Sequence, residues 1–235
     1  MGVVSNACKS GQLMIDLQDM VVKSLRGYDA SRSRSTQVEV GPSSLGGCSR
    51  RVWHDLKQTP KVNQTETLGA ILGTFIHSGM EKAMQRLDPF GDNFMIEIEL
   101  NHPEIRGHCD LFIKDLGLVV DFKTKTKSSM RYLGKDQEQW QIQVYGWLLE
   151  QQGYEVKNVA LVGIPRDGKM TDIKIWQDEY KPHVALEALE WLRNLKQWAA
   201  TDEQPPAPQL FVTFCKDYCP YFDPSGEVGC PSTMK

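Results

Sequence analysis

The sequence predicts one mixed α/β domain, in the order helix, three strands, helix, strand, strand, helix. Three observations predict it. Helical periodicity gives way abruptly to period-2 alternation at "NFMIEIELN". Two apolar runs, "GHCDLFIK" and "LGLVVDFKTKTK", are joined only by a tight Asp115-Leu116-Gly117 turn, which makes a hairpin. A helical stretch, "GKDQEQWQIQVYGWLLEQQ", then stands between that hairpin and two further strands, "VKNVALVGIP" and "TDIKIWQD".

The chain of 235 residues suffices for one well-buried domain and is short for two. Hydrophobic residues are 40% and charged residues 24%, the composition of a soluble globular protein. No run approaches the roughly 18 apolar residues of a membrane span. The opening "MGVVSNACKSGQ" lacks a signal peptide's apolar stretch, and Asn6 stands where a myristoylation signal wants Ser or Thr. A reducing cytoplasm is therefore expected. There, clustered cysteines hold a metal or a cluster more often than they form disulfides. The net charge of −3 argues against a protein that coats nucleic acid, but leaves room for a local basic groove.

The elements follow in order. Leu13, Leu17, Met20, Val21 and Leu25 give a helix over 11 to 26, and "DASRSRSTQVEVGPSS" reads as a loop or linker. Residues 1–40 are thus an N-terminal helix and linker ahead of a domain at 41–235. "SSLGGCSRRVWHDLK" reads as a short helix capped by Ser43 or Ser44. A longer helix covers 66 to 87, with Leu68, Ile71, Leu72, Phe75, Ile76 and Met80 as its apolar stripe. In the first strand Phe94, Ile96, Ile98 and Leu100 alternate with Met95, Glu97 and Glu99. The crossover helix runs from about 134 to 152, and the closing helix from Pro182 to Ala200. The proline-rich "TDEQPPAPQ" leads to a tail with three cysteines.

The hairpin carries the chemistry. Alternation puts Asp121 and Lys123 on one strand face, with Lys125 and Lys127 extending it, and His108, Asp110 and Phe112 on one face of the partner. A turn centred between Asp115 and Leu116 sets Asp110 nearly opposite Asp121. Opposed Cβ atoms lie about 5 Å apart, close enough for two carboxylates to hold one divalent cation and, without one, to repel. Asp-x-Lys alone suits a solvated hairpin better than a metal site. Here, however, Val119 and Val120 bring Asp121 to the edge of a buried strand, where a cation or lysine relieves its burial.

"Gly107-His108-Cys109-Asp110", "Asp121-Phe122-Lys123-Thr124" and Gln141 with Tyr145 four residues on resemble three successive motifs of RecB-like nucleases of the PD-(D/E)XK superfamily. "Gly73-Thr74-Phe75-Ile76-His77" resembles their additional histidine motif. The resemblance covers about residues 44 to 230 and implies a restriction-endonuclease-like core, a central mixed sheet flanked by helices. It also implies that Asp110, Asp121, the Phe122 carbonyl and His77 bind Mg²⁺ or Mn²⁺. Lys123 would position the attacking water and stabilise the phosphate's charge. Gln141 and Tyr145, one turn apart on a helix, would reach the site or the DNA backbone. The second acid is Asp, one methylene shorter than Glu.

Cys48 near one end and Cys215, Cys219 and Cys230 near the other offer four thiolates. A four-cysteine zinc site is one use for them. Their arrangement resembles RecB-like nucleases with a [4Fe–4S] cluster, of the AddB nuclease-domain and CRISPR-associated exonuclease type, and implies a cluster joining the ends of the domain. Cys8 and Cys109 fit neither set.

Arg50, Arg51, Lys125, Lys127, Arg131 and Lys135 are candidate phosphate contacts. Trp53, Tyr132 and Trp140 are candidates for stacking on unpaired bases. The expected activity is metal-dependent exonucleolytic hydrolysis of DNA, with single strands or DNA ends as substrate and DNA recombination or repair as setting. Two other readings stay open: a catalytically weak DNA-end-binding adaptor of a recombination or spacer-acquisition complex, and an endonuclease with the same site.

Overall fold

The computed structural model describes residues 10–31, 40–65, 67–206 and 212–232. The N-terminal positions read for targeting signals, Cys8 and half of the expected linker (32–39) lie outside this set. The first helix, α1 (Ser10–Ser31), continues past the expected end at Arg26. A 3-10 turn at Pro42–Ser44 precedes α2 (Ser49–Leu56), and the expected cap at Ser43 or Ser44 is not used. Those residues are spent on their own turn, where Ser44 N–H donates to the Gly41 carbonyl and Gly47 N–H to that of Ser44. Cys48 caps α2 instead, its Sγ accepting from Arg51 N–H at 3.5 Å.

After α3 (Leu68–Leu87) come β1 (Phe94–Asn101), β2 (Arg106–Ile113) and β3 (Leu118–Lys125). The chain then crosses through α4 (Asp136–Gln151) to β4 (Asn158–Pro165), continues into β5 (Lys174–Glu179), and ends in α5 (Pro182–Ala200) and α6 (Val212–Tyr218). The sheet order is β1-β2-β3-β4-β5. Only β3 and β4 run parallel, because only they are joined by a helix long enough to return the chain to the same end.

One sheet face, with Phe112, Val119, Val159 and Leu161, packs on α4 and α5 through Ile142, Leu148, Leu149, Leu189 and Leu192. The other face, with Leu111, Val120, Phe122 and Ala160, packs on Met80 and Met84 of α3. The stripe expected on α3 is therefore divided. Its C-terminal part meets the sheet, while Leu68, Leu72 and Phe75 stay exposed and Phe75 turns to Tyr28 of α1, with ring centroids 5.1 Å apart.

Strand β1 departs from its expected alternation. Phe94 and Ile96 pack in the α3-side core, whereas Ile98 and Leu100 pack with the opposite one. The break is Glu97, whose φ of +49° lies in the left-handed region, at a cost of roughly 1–2 kcal/mol for a residue with a Cβ. Ladder pairing with β2 resumes on either side, Ile96 with Leu111 and Ile98 with Cys109, which leaves Glu97 across from Asp110.

The β2–β3 turn is a 3-10 turn over Lys114–Leu116 closed by Gly117 at φ +56°. A Cβ on Gly117 would stand 2.8 Å from the Glu155 carbonyl oxygen, so the turn needs glycine for both conformation and space. No helix among the described residues is long and apolar enough to cross a membrane.

Candidate active site

The ladder between β2 and β3 runs from Ile113↔Leu118 to Leu111↔Val120. One step further on the same register stand Asp110 and Asp121, where the strands part. Both carboxylates are buried. Asp110 Oδ2 accepts from the Phe122 backbone N–H at 2.7 Å, and its Oδ1 lies 3.3 Å from His77 Nδ1. His77 thus reaches the hairpin from α3. Burial opposes a charged imidazole there, but the hydrogen bond to Asp110 and its charge outweigh burial and raise the His77 pKa.

Asp121, Lys123, Gln141 and Tyr145 form one connected chain. Lys123 Nζ is 2.8 Å from Asp121 Oδ2 and donates to Gln141 Oε1 at 2.5 Å. Gln141 Nε2 donates to Asp121 Oδ1 and to the Tyr145 hydroxyl, each at 3.1 Å. Spacing of four residues on α4 places Gln141 and Tyr145 on the face packed against β3. Burial raises Asp121 to about 6, against the pull of Lys123 and with the push of Asp110. Burial and the Asp121 charge also push Tyr145 well up, so its phenol stays protonated.

This donor set suits a divalent cation. Two buried carboxylates face a single lysine, and Asp121 Oδ2 is buried with no aligned hydrogen bond despite the nearby ammonium. A buried carboxylate oxygen left so is unfavourable unless another cation approaches it.

The two acids, Lys123, His77, Gln141 and Tyr145 all border one cleft of about 510 Å³. Gly107 lies on the same cleft, and a Cβ there would stand 2.8 Å from Pro42 Cδ and 3.0 Å from Tyr145. The other basic residues bordering the cleft are Arg51, Lys61, Arg106 and His108. Of the expected phosphate contacts, only Arg51 is among them. Arg50 donates to the Pro205 carbonyl and lies 3.8 Å from Cys230 Sγ. Lys125 is held by Glu138 at 2.5 Å and Lys127 by Asp172 at 3.0 Å, since β3 ends before Lys127 can continue its face. Arg131 sits over the Tyr132 ring, and Lys135 is the exposed N-cap of α4. Trp140 packs against Trp191 and Trp53 against His54, so of the three aromatics only Tyr132 is exposed. Lys61 and Arg106 were missed because neither stands in a motif, although Arg106 opens β2 four residues before Asp110; Lys61 comes to the cleft from the segment after α2.

The four cysteines meet at the other side of Arg51. Cys48, Cys215 and Cys219 line a neighbouring cavity of about 360 Å³ that Arg51 also borders. Burial raises the Cys48 thiol, with a further push from Cys230 and Cys215; Cys219 is raised in the same way, with Cys48 and Cys215 adding to burial. The long spacing from Cys219 to Cys230 is folded back by Asp223, whose carboxylate accepts from Ser225, Val228 and Gly229 N–H groups. Cys230 N–H then donates to the Tyr221 carbonyl at 2.7 Å. Tyr221 docks this tail on α2, donating to Asp55 at 2.6 Å and stacking on His54. Asn63 adds two bonds, to the Lys216 and Cys219 carbonyls.

Comparison with solved structures finds the crystal structure of SSO0001 similar, at 20% identity over 93% of this chain and 98% of that one, with a TM-score of 0.55. A phage related exonuclease from Haemophilus somnus 129PT matches at 12% identity over 65% of this chain and 79% of its own, TM-score 0.47. An alkaline exonuclease (LHK-Exo) from Laribacter hongkongensis matches at 13% over 70% and 91%, TM-score 0.45. No curated protein matches the sequence. Residues 87–223, more than half of the chain and including the hairpin and α4, match the family model of the PD-(D/E)XK nuclease superfamily. Since that span holds both acids and the lysine that such nucleases are named for, the chain belongs to the PD-(D/E)XK nuclease superfamily.

Proposed function

We propose that this nuclease is a metal-dependent DNA exonuclease that trims single-stranded ends and carries a [4Fe–4S] cluster on its four clustered cysteines. The observation that carries the reading is the pair of buried carboxylates, Asp110 and Asp121, with only the Lys123 ammonium against Asp121 Oδ2, at a cleft edged by arginine and lysine. Asp110, Asp121, the Phe122 carbonyl and His77 would hold Mg²⁺ or Mn²⁺. When bound, such an ion activates a water and neutralises charge on the scissile phosphate.

The chain's own groups do the rest. Lys123 presents its ammonium at the cleft, where it orients the nucleophile and stabilises developing negative charge. Gln141 accepts from Lys123 and donates to Asp121, so it fixes both in one geometry. Arg51, Lys61 and Arg106 supply sequence-independent phosphate contacts.

For the cysteines, the resemblance to RecB-like nucleases supports the cluster, which needs four thiolates. Cys48, Cys215 and Cys219 line one cavity, and Cys230 is close enough to Cys48 to push its thiol up. The resemblance to RecB-like nucleases supports a role in DNA recombination or repair.

The test is digestion of end-labelled single- and double-stranded DNA with Mg²⁺, Mn²⁺ or EDTA. Progressive shortening of single strands that needs the cation and is lost in Asp110→Ala is the expected result. Binding without cleavage would favour the adaptor reading, and cleavage of circular single strands the endonuclease.

A further inference from the structure

The three motif residues and His77 leave one acidic neighbour unexplained. Glu97 sits on β1, outside every motif, in a sequence that alternates as though its side chain faced solvent. The strand does not deliver it that way. Its φ of +49° reverses the face of everything after it, and the register sets it across from Asp110. One ligand atom each from His77, Glu97 and Asp110 all lie within 4.8 Å of one another. Oxygen and nitrogen ligands of one octahedral ion at about 2.1 Å stand about 3 Å apart when adjacent and about 4.2 Å when opposed. The three groups therefore need only a small contraction to share an ion.

A second observation at the same place points to a cation. Asp121 Oδ2, on the far side of Asp110, is buried without an aligned hydrogen bond. Asp110 stands between the two, with Oδ1 towards His77 and Oδ2 towards β3.

We propose that Glu97 is a further carboxylate ligand of the cation site, with the left-handed turn of β1 at residue 97 serving to bring it beside His77 and Asp110. The proposal rests on the reading of Asp110 and Asp121 as a divalent-cation site. It adds a third carboxylate to a site whose motifs supply two, and makes β1 part of the metal centre.

The test measures Mn²⁺ binding to the full chain by electron paramagnetic resonance of the free ion, without DNA, alongside thermal melting in chelator. Glu97→Gln should weaken Mn²⁺ binding by at least the roughly 10–100-fold that follows loss of groups merely supporting a ligand. Glu99→Gln, two residues along and bonded to Asn101, should leave it unchanged. Glu97→Gly separates the carboxylate from the backbone turn. Glycine adopts the positive φ freely, so this variant keeps the turn of β1 and should lose the same affinity, and a cooperative melt in chelator shows that it is folded. A Glu97→Gln protein with wild-type affinity overturns the proposal and leaves the cation site standing. A folded Glu97→Gly protein that keeps its affinity overturns it too. Absence of Mn²⁺ binding by the wild type refutes the cation site itself.

Discussion

Lys123 is held from two sides, by Asp121 Oδ2 at 2.8 Å and by Gln141 Oε1 at 2.5 Å. The first contact is electrostatic and the second positional, so they can be separated by substitution. Lys123→Ala removes the charge at the cleft. Single-turnover cleavage should fall by about 10²–10³, the usual loss when one stabilising donor is removed, while Mn²⁺ binding persists. Gln141→Leu keeps the charge but frees the ammonium and takes a donor from Asp121. A smaller loss of about 10–100-fold is expected, with unchanged affinity for DNA. Equal losses in both variants would show that Gln141 acts in the chemistry itself rather than by placing Lys123. The hairpin residues were legible because strand alternation and a short turn fix their register. Glu97 was not, since nothing in "MIEIELN" signals a left-handed glutamate.

At the scale of elements, α2 links the cleft to the cysteines. Its Arg51 borders both cavities, Cys48 is its cap, and His54 is the platform for the tail through Tyr221. None of this docking can be read from sequence, where eleven positions separate Cys230 from Cys219. Its compactness depends on Asp223 and on bonds from residues distant along the chain. His54 is buried with Nδ1 against Thr59 Oγ1, and burial, then Arg50, lowers its pKa below the ordinary 6.5. The sign follows from linkage. Below about 6.5 the unfolded chain takes up a proton that the folded His54 resists, so stability falls as pH drops through that value. Tail docking should therefore loosen between pH 7.5 and 5.5, seen as faster limited proteolysis near Tyr218. A His54→Gln protein should lose less of its protection over the same interval; an identical loss would assign the effect to other groups.

Across the whole molecule, the succession of strands and helices was legible because the hydrophobic period changes between them; the strand order within the sheet was not, since period does not say which strands pair. The division of α3 between sheet and α1 was not, since one apolar stripe does not say how many partners it has. The proposed cluster would join segments about 170 residues apart, Cys48 beside α2 and Cys215 in α6. Closing a loop of roughly that length with a cross-link restricts the unfolded chain by about 5 kcal/mol before any strain. For a chain of this size each kcal/mol moves the melting temperature by about 2–4 °C. Cys219→Ser should accordingly lower melting of anaerobically purified protein by roughly 10–20 °C and reduce its bound iron. Cys109→Ala alters a cysteine buried in the sheet core, so it should change stability without changing iron content. Zinc in place of iron, or a Cys219→Ser protein that melts with the wild type, would remove the four cysteines as the staple of this fold.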